Sequence, residues 1–232
     1  MDPRFSHITH VFLDADDTLW ENDIYFRAAE AAYVDYMAPY ASSETARAML
    51  RVKQEDNIPV FGYGSKTYLL GMLDAAAAIC PDSYGPRMYH DLKDIVTTLA
   101  THPFEFLENA RDTVIALSRR YRVVIATKGE VSEQMRKYRL SGLSEYITAI
   151  EVMEKKSPED YRNMAAKFGV EPCDLFMVGN AVRSDIAPVV EIGGWAVHIP
   201  YKITWEHEIM PMPDSPRILQ LTELSQLKEI LL

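Results

Sequence analysis

The stretch that most constrains this chain is the apolar run Ile8 to Leu13, followed at once by Asp14-Ala15-Asp16-Asp17-Thr18. A short run rich in β-branched and aromatic residues reads as a buried strand. It stops at three acids within four positions. Clustered acids at the carboxyl end of a buried parallel strand fall in the crevice where open α/β sheets bind ligands. Carboxylates so close repel one another unless a proton or a cation holds them, and hard oxygen donors suit Mg2+. The same acids and Thr18 also suit a plainer role, capping the helix that follows.

The rest of the chain supplies the frame. From about Asn22 to His102 the pattern is helical. Tyr25, Ala29, Ala32 and Tyr36 share one helical face, and a second helix is expected from Thr45 to Asp56, ending before Pro59. Leu69, Leu73, Ala76 and Cys80 make a third face, and Met88, Leu92, Ile95, Val96 and Leu99 a fourth. Between the second and third, Val60-Phe61-Gly62-Tyr63-Gly64-Ser65-Lys66 reads as a loop, either an ordinary turn or one whose Tyr63 and Lys66 meet a ligand. After Pro103, strand and helix patterns alternate: strands near Tyr121–Ala126, Ile147–Val152, Asp174–Val178, Trp195–Ile199 and Arg217–Leu221, with a helix from Pro158 to Phe168 capped by Ser157. The expectation is an α/β core, a doubly wound and mostly parallel sheet, with an inserted α-helical bundle. Its division would be 1–20 with 103–232 for the core and 21–102 for the insertion.

Three further segments sit at expected strand ends. Thr127-Lys128-Gly129 offers a hydroxyl and exposed N–H groups, a cradle for a phosphate oxygen or simply a helix-opening turn. Lys155-Lys156-Ser157-Pro158 is a basic pair ahead of a helix, and charge runs are commonly solvated. Gly179-Asn180 is followed at a distance by Asp185, an acid suited to metal or to a helix cap.

Taken in order, these residues resemble the haloacid dehalogenase (HAD) superfamily. Asp14-Ala15-Asp16-Asp17-Thr18 is similar to its first motif, which implies Asp14 as nucleophile and Asp16 as general acid/base. Thr127 matches the second motif, implying that its hydroxyl and the Lys128 amide bind the phosphoryl group. In the third motif a Lys precedes Pro by three and an aromatic by six, which selects Lys155, with Pro158 and Tyr161, rather than Lys156. The fourth motif is matched by Gly179-Asn180 and Asp185, with Asn where Asp is more usual. The resemblance implies Mg2+ held by Asp14, the Asp16 carbonyl and Asn180 or Asp185, and a helical C1-type cap whose loop, with Tyr63 and Lys66, selects substrate.

Family dehalogenases lack an acid two positions after the nucleophile, because halide leaves without a proton. Asp16 therefore favours a phosphatase that hydrolyses a small phosphomonoester through an aspartyl-phosphate. The alternatives are a phosphomutase or dehalogenase on the same core, or a non-catalytic binding module. The net charge of −10 argues against nucleic acid or an anionic membrane as partner. Residues Met1 to His7 are polar, with no signal-like apolar region, and no run approaches membrane-spanning length, so a cytoplasmic protein is expected. Cys80 and Cys173 are expected as two buried thiols. The histidines, His7, His10, His90, His102, His198 and His207, show no zinc spacing and are expected to be structural or surface groups.

Overall fold

The computed structural model describes residues 2–232, apart from the His207 side chain; Met1 and that side chain, both named above, lie outside the described residues. In chain order the elements begin with β1 (His10–Leu13), α1 (Asp23–Met37), α2 (Ser43–Phe61), α3 (Ser65–Ile79) and α4 (Pro86–Ala100). They continue with α5 (Ala110–Ser118), β2 (Arg122–Lys128), α6 (Val131–Ser141), β3 (Ala149–Met153) and α7 (Pro158–Phe168). Last come β4 (Phe176–Gly179), α8 (Ala187–Glu191), β5 (Trp195–His198), β6 (Ile218–Gln220) and α9 (Leu227–Leu231). They form two compact units, the residues up to Asp23 with Phe104–Leu232, and Ile24–Pro103.

The first unit is built on one parallel sheet in the order β3-β2-β1-β4-β5-β6. Strand β1 lies between β2 and β4, with Leu13 opposite Ile125 on one side and Val178 on the other. Its side chains alternate between faces. Val11 and Leu13 pack in a cluster with Val114 and Leu117 of α5 and Leu227 and Leu231 of α9. Phe12 packs on the other face with Tyr161 and Met164 of α7 and Val189 of α8. Burial on both faces explains why Val11, Phe12 and Leu13 are apolar in succession rather than alternating. The acids Asp14, Asp16 and Asp17 follow directly after its carboxyl end. The expected α/β architecture is the one observed.

The second unit consists of helices packed around Tyr33, Met37, Leu50, Met72, Leu92 and Val96. Four sequence expectations are corrected here. Helix α2 runs through Pro59 to Phe61, because the missing proline N–H costs one helical bond while Gly62 N still reaches Ile58 O at 2.9 Å. The connection to α3 is therefore only Gly62-Tyr63-Gly64, and Lys66 stands in the first turn of α3. On α1 the buried stripe is Ala29, Tyr33 and Met37, spaced by four, while Ala32 is exposed. Cys80 is buried as expected, but Cys173 is exposed on the core, so the expectation of two buried thiols fails. Among the described residues no helix is long and apolar enough to cross a membrane.

Candidate active site

The residues at the carboxyl end of β1 turn sharply. Asp14 N donates to Val178 O of β4 at 2.8 Å, which ties the first acid to the neighbouring strand. Its Oδ2 accepts from the Thr18 hydroxyl at 2.9 Å. The same hydroxyl lies 3.3 Å from Asn180 Oδ1. With one proton to give, it serves the nearer acceptor, Asp14.

A lysine neutralises this acid, and it is Lys156. Its Nζ lies 2.5 Å from Asp14 Oδ1 and 2.6 Å from Asp185 Oδ1. Lys155, which the motif spacing selects, is exposed. The cause is local: β3 ends at Met153, and Ser157 opens α7 with a capping box to Asp160, so the residue just before the cap faces inward. Burial alone would lower Lys156, but Asp14 and Asp185 carry it well above the usual lysine range.

Asp185 is held from both sides, since its Oδ2 accepts from Ala181 N at 3.0 Å. Gly179 makes room for it: a Cβ there would lie 2.2 Å from Asp185 Oδ2. Two buried carboxylates thus share one ammonium. Burial first, and then Asp185 beside it, push Asp14 up to about 7 against the opposing pull of Lys156.

Asp16 points into a different set of partners. Trp20 Nε1 donates to its Oδ1 at 2.7 Å, Gln134 Nε2 to its Oδ2 at 2.8 Å, and Lys137 Nζ reaches both oxygens at 2.6 Å. Gln134 and Lys137 lie three apart on α6 and so share a face. Burial would raise Asp16, but the Lys137 charge and these hydrogen bonds outweigh it and hold the acid below the usual range. Gly129, at φ +127°, brings α6 close, since a Cβ there would be 3.0 Å from Gln134 Nε2. Asp17 takes the capping role: its carboxylate accepts from Asn22 N and Asp23 N at 2.9–3.1 Å, at the start of α1. Burial and the neighbouring Asp23 and Asp16 push it upward.

Thr127 and Lys128 are the last two residues of β2, beside β1. The Thr127 hydroxyl is buried and makes a long 3.4 Å contact with Lys128 O. Lys128 Nζ donates to Ser184 Oγ at 2.8 Å and pairs with Glu208. Glu208, from the loop after β5, also accepts from Ser184 Oγ at 2.7 Å. Lys128 therefore reaches from β2 to the turn after β4, the two strands flanking β1. Asn180 is half-buried, and His198 Nε2 lies 3.0 Å from its main-chain carbonyl, which fixes that ring nitrogen as the donor. Tyr63 and Lys66 belong to the helical unit.

The core thus brings together Asp14, Asp16, Asn180 and Asp185 at adjoining strand ends, with Thr127 and Lys128 on the next strand, and leaves Lys155 out. Sequence reasoning missed Gln134, Lys137 and Glu208, and set Lys156 aside in favour of Lys155. The signal for the first two was a polar pair at helical spacing just after a strand-end turn. Glu208 had none, because it comes from a proline-rich loop.

Among the described residues no group of three His, Cys, Asp or Glu is assembled as a metal cage. Magnesium rarely asks for one; it takes one or two carboxylates and leaves its other positions to water and substrate phosphate. Asp14 and Asp185 supply two buried carboxylates against the single Lys156. Asn180 Oδ1 adds a neutral hard donor. This donor set fits the ion.

The parallel α/β core thus carries an acid at the end of its central strand, a buried lysine on that acid and a second acid two residues on. The chain belongs to the haloacid dehalogenase-like hydrolases: the model of that family matches residues 8–193. A haloacid dehalogenase-like hydrolase from Xanthomonas campestris is 30% identical, with TM-score 0.87 over 99% of this chain and 93% of its own. A 2-haloacid dehalogenase from Pseudomonas syringae pv. Tomato DC3000 gives 0.65 at 20% identity, covering 97% and 98%. A putative HAD-hydrolase, YfnB from Bacillus subtilis, bound to magnesium, gives 0.60 at 16%, also covering 97% and 98%. Both of the latter speak for the fold alone. No curated protein matches the chain.

Proposed function

We propose that this hydrolase is a magnesium-dependent phosphatase that hydrolyses a small phosphomonoester through an aspartyl-phosphate on Asp14. The observation that carries the reading is Asp16, two residues from the nucleophile and joined at 2.6 Å to Lys137. An acid two residues from the nucleophile and paired with an ammonium can relay the proton that an alkoxide leaving group needs and a halide does not. Asp14 attacks phosphorus, and the departing oxygen takes a proton from the Asp16–Lys137 pair. Water then attacks phosphorus, its proton passes to Asp16, and Asp14 is regenerated. Lys156 keeps Asp14 in place and offsets its charge, while Thr127 and the Lys128 amide receive the phosphoryl oxygens. Mg2+, held by Asp14, Asp185 and Asn180 with the Asp16 carbonyl, would supply Lewis-acid stabilisation of the transferring group. Substrate selection is assigned in the same reading to Tyr63 and Lys66 of the inserted helical unit, a C1-type cap.

One observation favours a dehalogenase instead. Lys156 already gives Asp14 and Asp185 a counter-charge, and Asn180 brings none, so the site has one carboxylate fewer for a metal than the family's usual fourth motif. The discriminating assay incubates the purified protein with a panel of phosphomonoesters and with 2-haloacids, with and without magnesium. Phosphate release that depends on magnesium supports the proposal. Halide release without phosphate release overturns it.

A further inference from the structure

The ammonium of Lys137 has three protons to give, and three acceptors stand around it. Two are the oxygens of Asp16, each at 2.6 Å, and the third is Asn22 Oδ1 at 3.1 Å. The carboxylate alone would leave the nitrogen free to swing about the line through its two oxygens. An acceptor on another part of the chain removes that freedom. Asn22 suits the place because its amide oxygen accepts without charge, so the charge of the ammonium stays with Asp16. Lys137 is buried, and an acceptor lost in a buried place leaves a donor unsatisfied.

Asn22 is itself fixed by the neighbouring acid. Its main-chain N–H donates to Asp17 Oδ1 at 2.9 Å, among the bonds that open α1. The side chain is thereby held where the loop after β1 passes into α1, and it meets α6 across 115 residues of sequence. Asp17 thus anchors the backbone of Asn22, and the side chain of Asn22 anchors the partner of Asp16.

We infer that Asn22 is a positioning residue for proton transfer: through Lys137 it fixes the Asp16 carboxylate for its exchange with the leaving oxygen. The inference rests on the phosphatase reading, which gives Asp16 that exchange. The effect of Asn22 should therefore scale with the leaving group's need for a proton. A 4-nitrophenolate departs as a stable anion, whereas an alkoxide must be protonated.

The test measures kcat/KM for 4-nitrophenyl phosphate and for the fastest alkyl ester of the phosphomonoester panel, both in saturating magnesium. Asn22→Leu removes the acceptor at similar size. Asn22→Asp keeps the shape but sets a second carboxylate against Asp16 for the ammonium. Both keep the main-chain bond to Asp17. Each is expected to raise the aryl-to-alkyl ratio about tenfold, a part of the roughly 10²–10⁴ that a proton-transfer group supplies. A merely structural role, or a smaller folded fraction, lowers both rates together and leaves the ratio unmoved. An unchanged or lower ratio in either variant overturns the inference and leaves the phosphatase reading intact. If the wild-type protein hydrolyses no alkyl ester of the panel, that reading falls, and the inference with it.

Discussion

Lys156 Nζ lies 2.5 Å from Asp14 Oδ1, on a side chain almost wholly buried. The same nitrogen is 2.6 Å from Asp185 Oδ1, so one ammonium holds the first and last motifs of the site together. Lys156→Met is expected to leave two buried carboxylates facing each other. The expected loss is about 3–5 kcal/mol of stability, the cost of stripping one partner from a buried ion pair. Turnover should fall at least ~100-fold through loss of charge stabilisation. Lys155→Ala, at an exposed neighbour, should change stability by less than about 0.5 kcal/mol and activity little. Urea unfolding and steady-state assays of the two variants check both; equal losses would contradict the assignment.

Asp16 and Lys137 should act as a unit. Asp16→Asn and Lys137→Met are each expected to lower kcat by about 10²–10⁴, the usual range for a proton-transfer group. The double variant should be scarcely worse than either single one, because residues in one network are not additive. A double-mutant cycle checks this; full additivity would separate Lys137 from the role of Asp16.

Gly179 leaves no space for a side chain. With a Cβ placed 2.2 Å from Asp185 Oδ2, Gly179→Ala must displace Asp185 or bend β4. The expected cost is about 1–3 kcal/mol of stability, the scale of overpacking, together with loss of most activity. Thermal unfolding and a magnesium titration of activity measure the two effects.

Much of this was legible in the chain and some was not. Uniform burial wrote β1 plainly as an apolar run, and the acids at its end could belong only to a ligand crevice or a helix cap. Asp17 proved to be the cap, and Asp14 and Asp16 the crevice. The choice between Lys155 and Lys156 was not legible from spacing. It depends on how the backbone turns between the end of β3 and the capping box of α7, a matter of one residue. Glu208 was hidden for another reason: its partner Lys128 is 80 residues away in sequence, and no periodicity relates a loop acid to a strand-end lysine. Proline ordinarily ends a helix, but at Pro59 a well-supported helix absorbs one lost bond.

Glu208 also ties stability to pH. Burial would raise it, but Lys128 and the hydrogen bonds from Lys128 and Ser184 hold it below its usual value of 4.5. A depressed folded-state value stabilises the protein above the unfolded value and is lost as pH falls through the folded one. The stability difference between wild type and Glu208→Gln should therefore be constant above about pH 5 and shrink in more acid solution. Chemical unfolding from pH 7 downward measures it; a difference that widens in acid would reverse the sign.

In the proposed mechanism water completes the reaction at phosphorus, after Asp14 has taken the phosphoryl group. Its most direct test is a single turnover in ¹⁸O-labelled water, with mass spectrometry of the phosphate and of the peptide containing Asp14. The predicted result is label in inorganic phosphate and none in Asp14. Label in the Asp14 carboxylate, accompanied by halide release from a 2-haloacid, would mean that water attacks an ester carbonyl on Asp14, and would contradict the account.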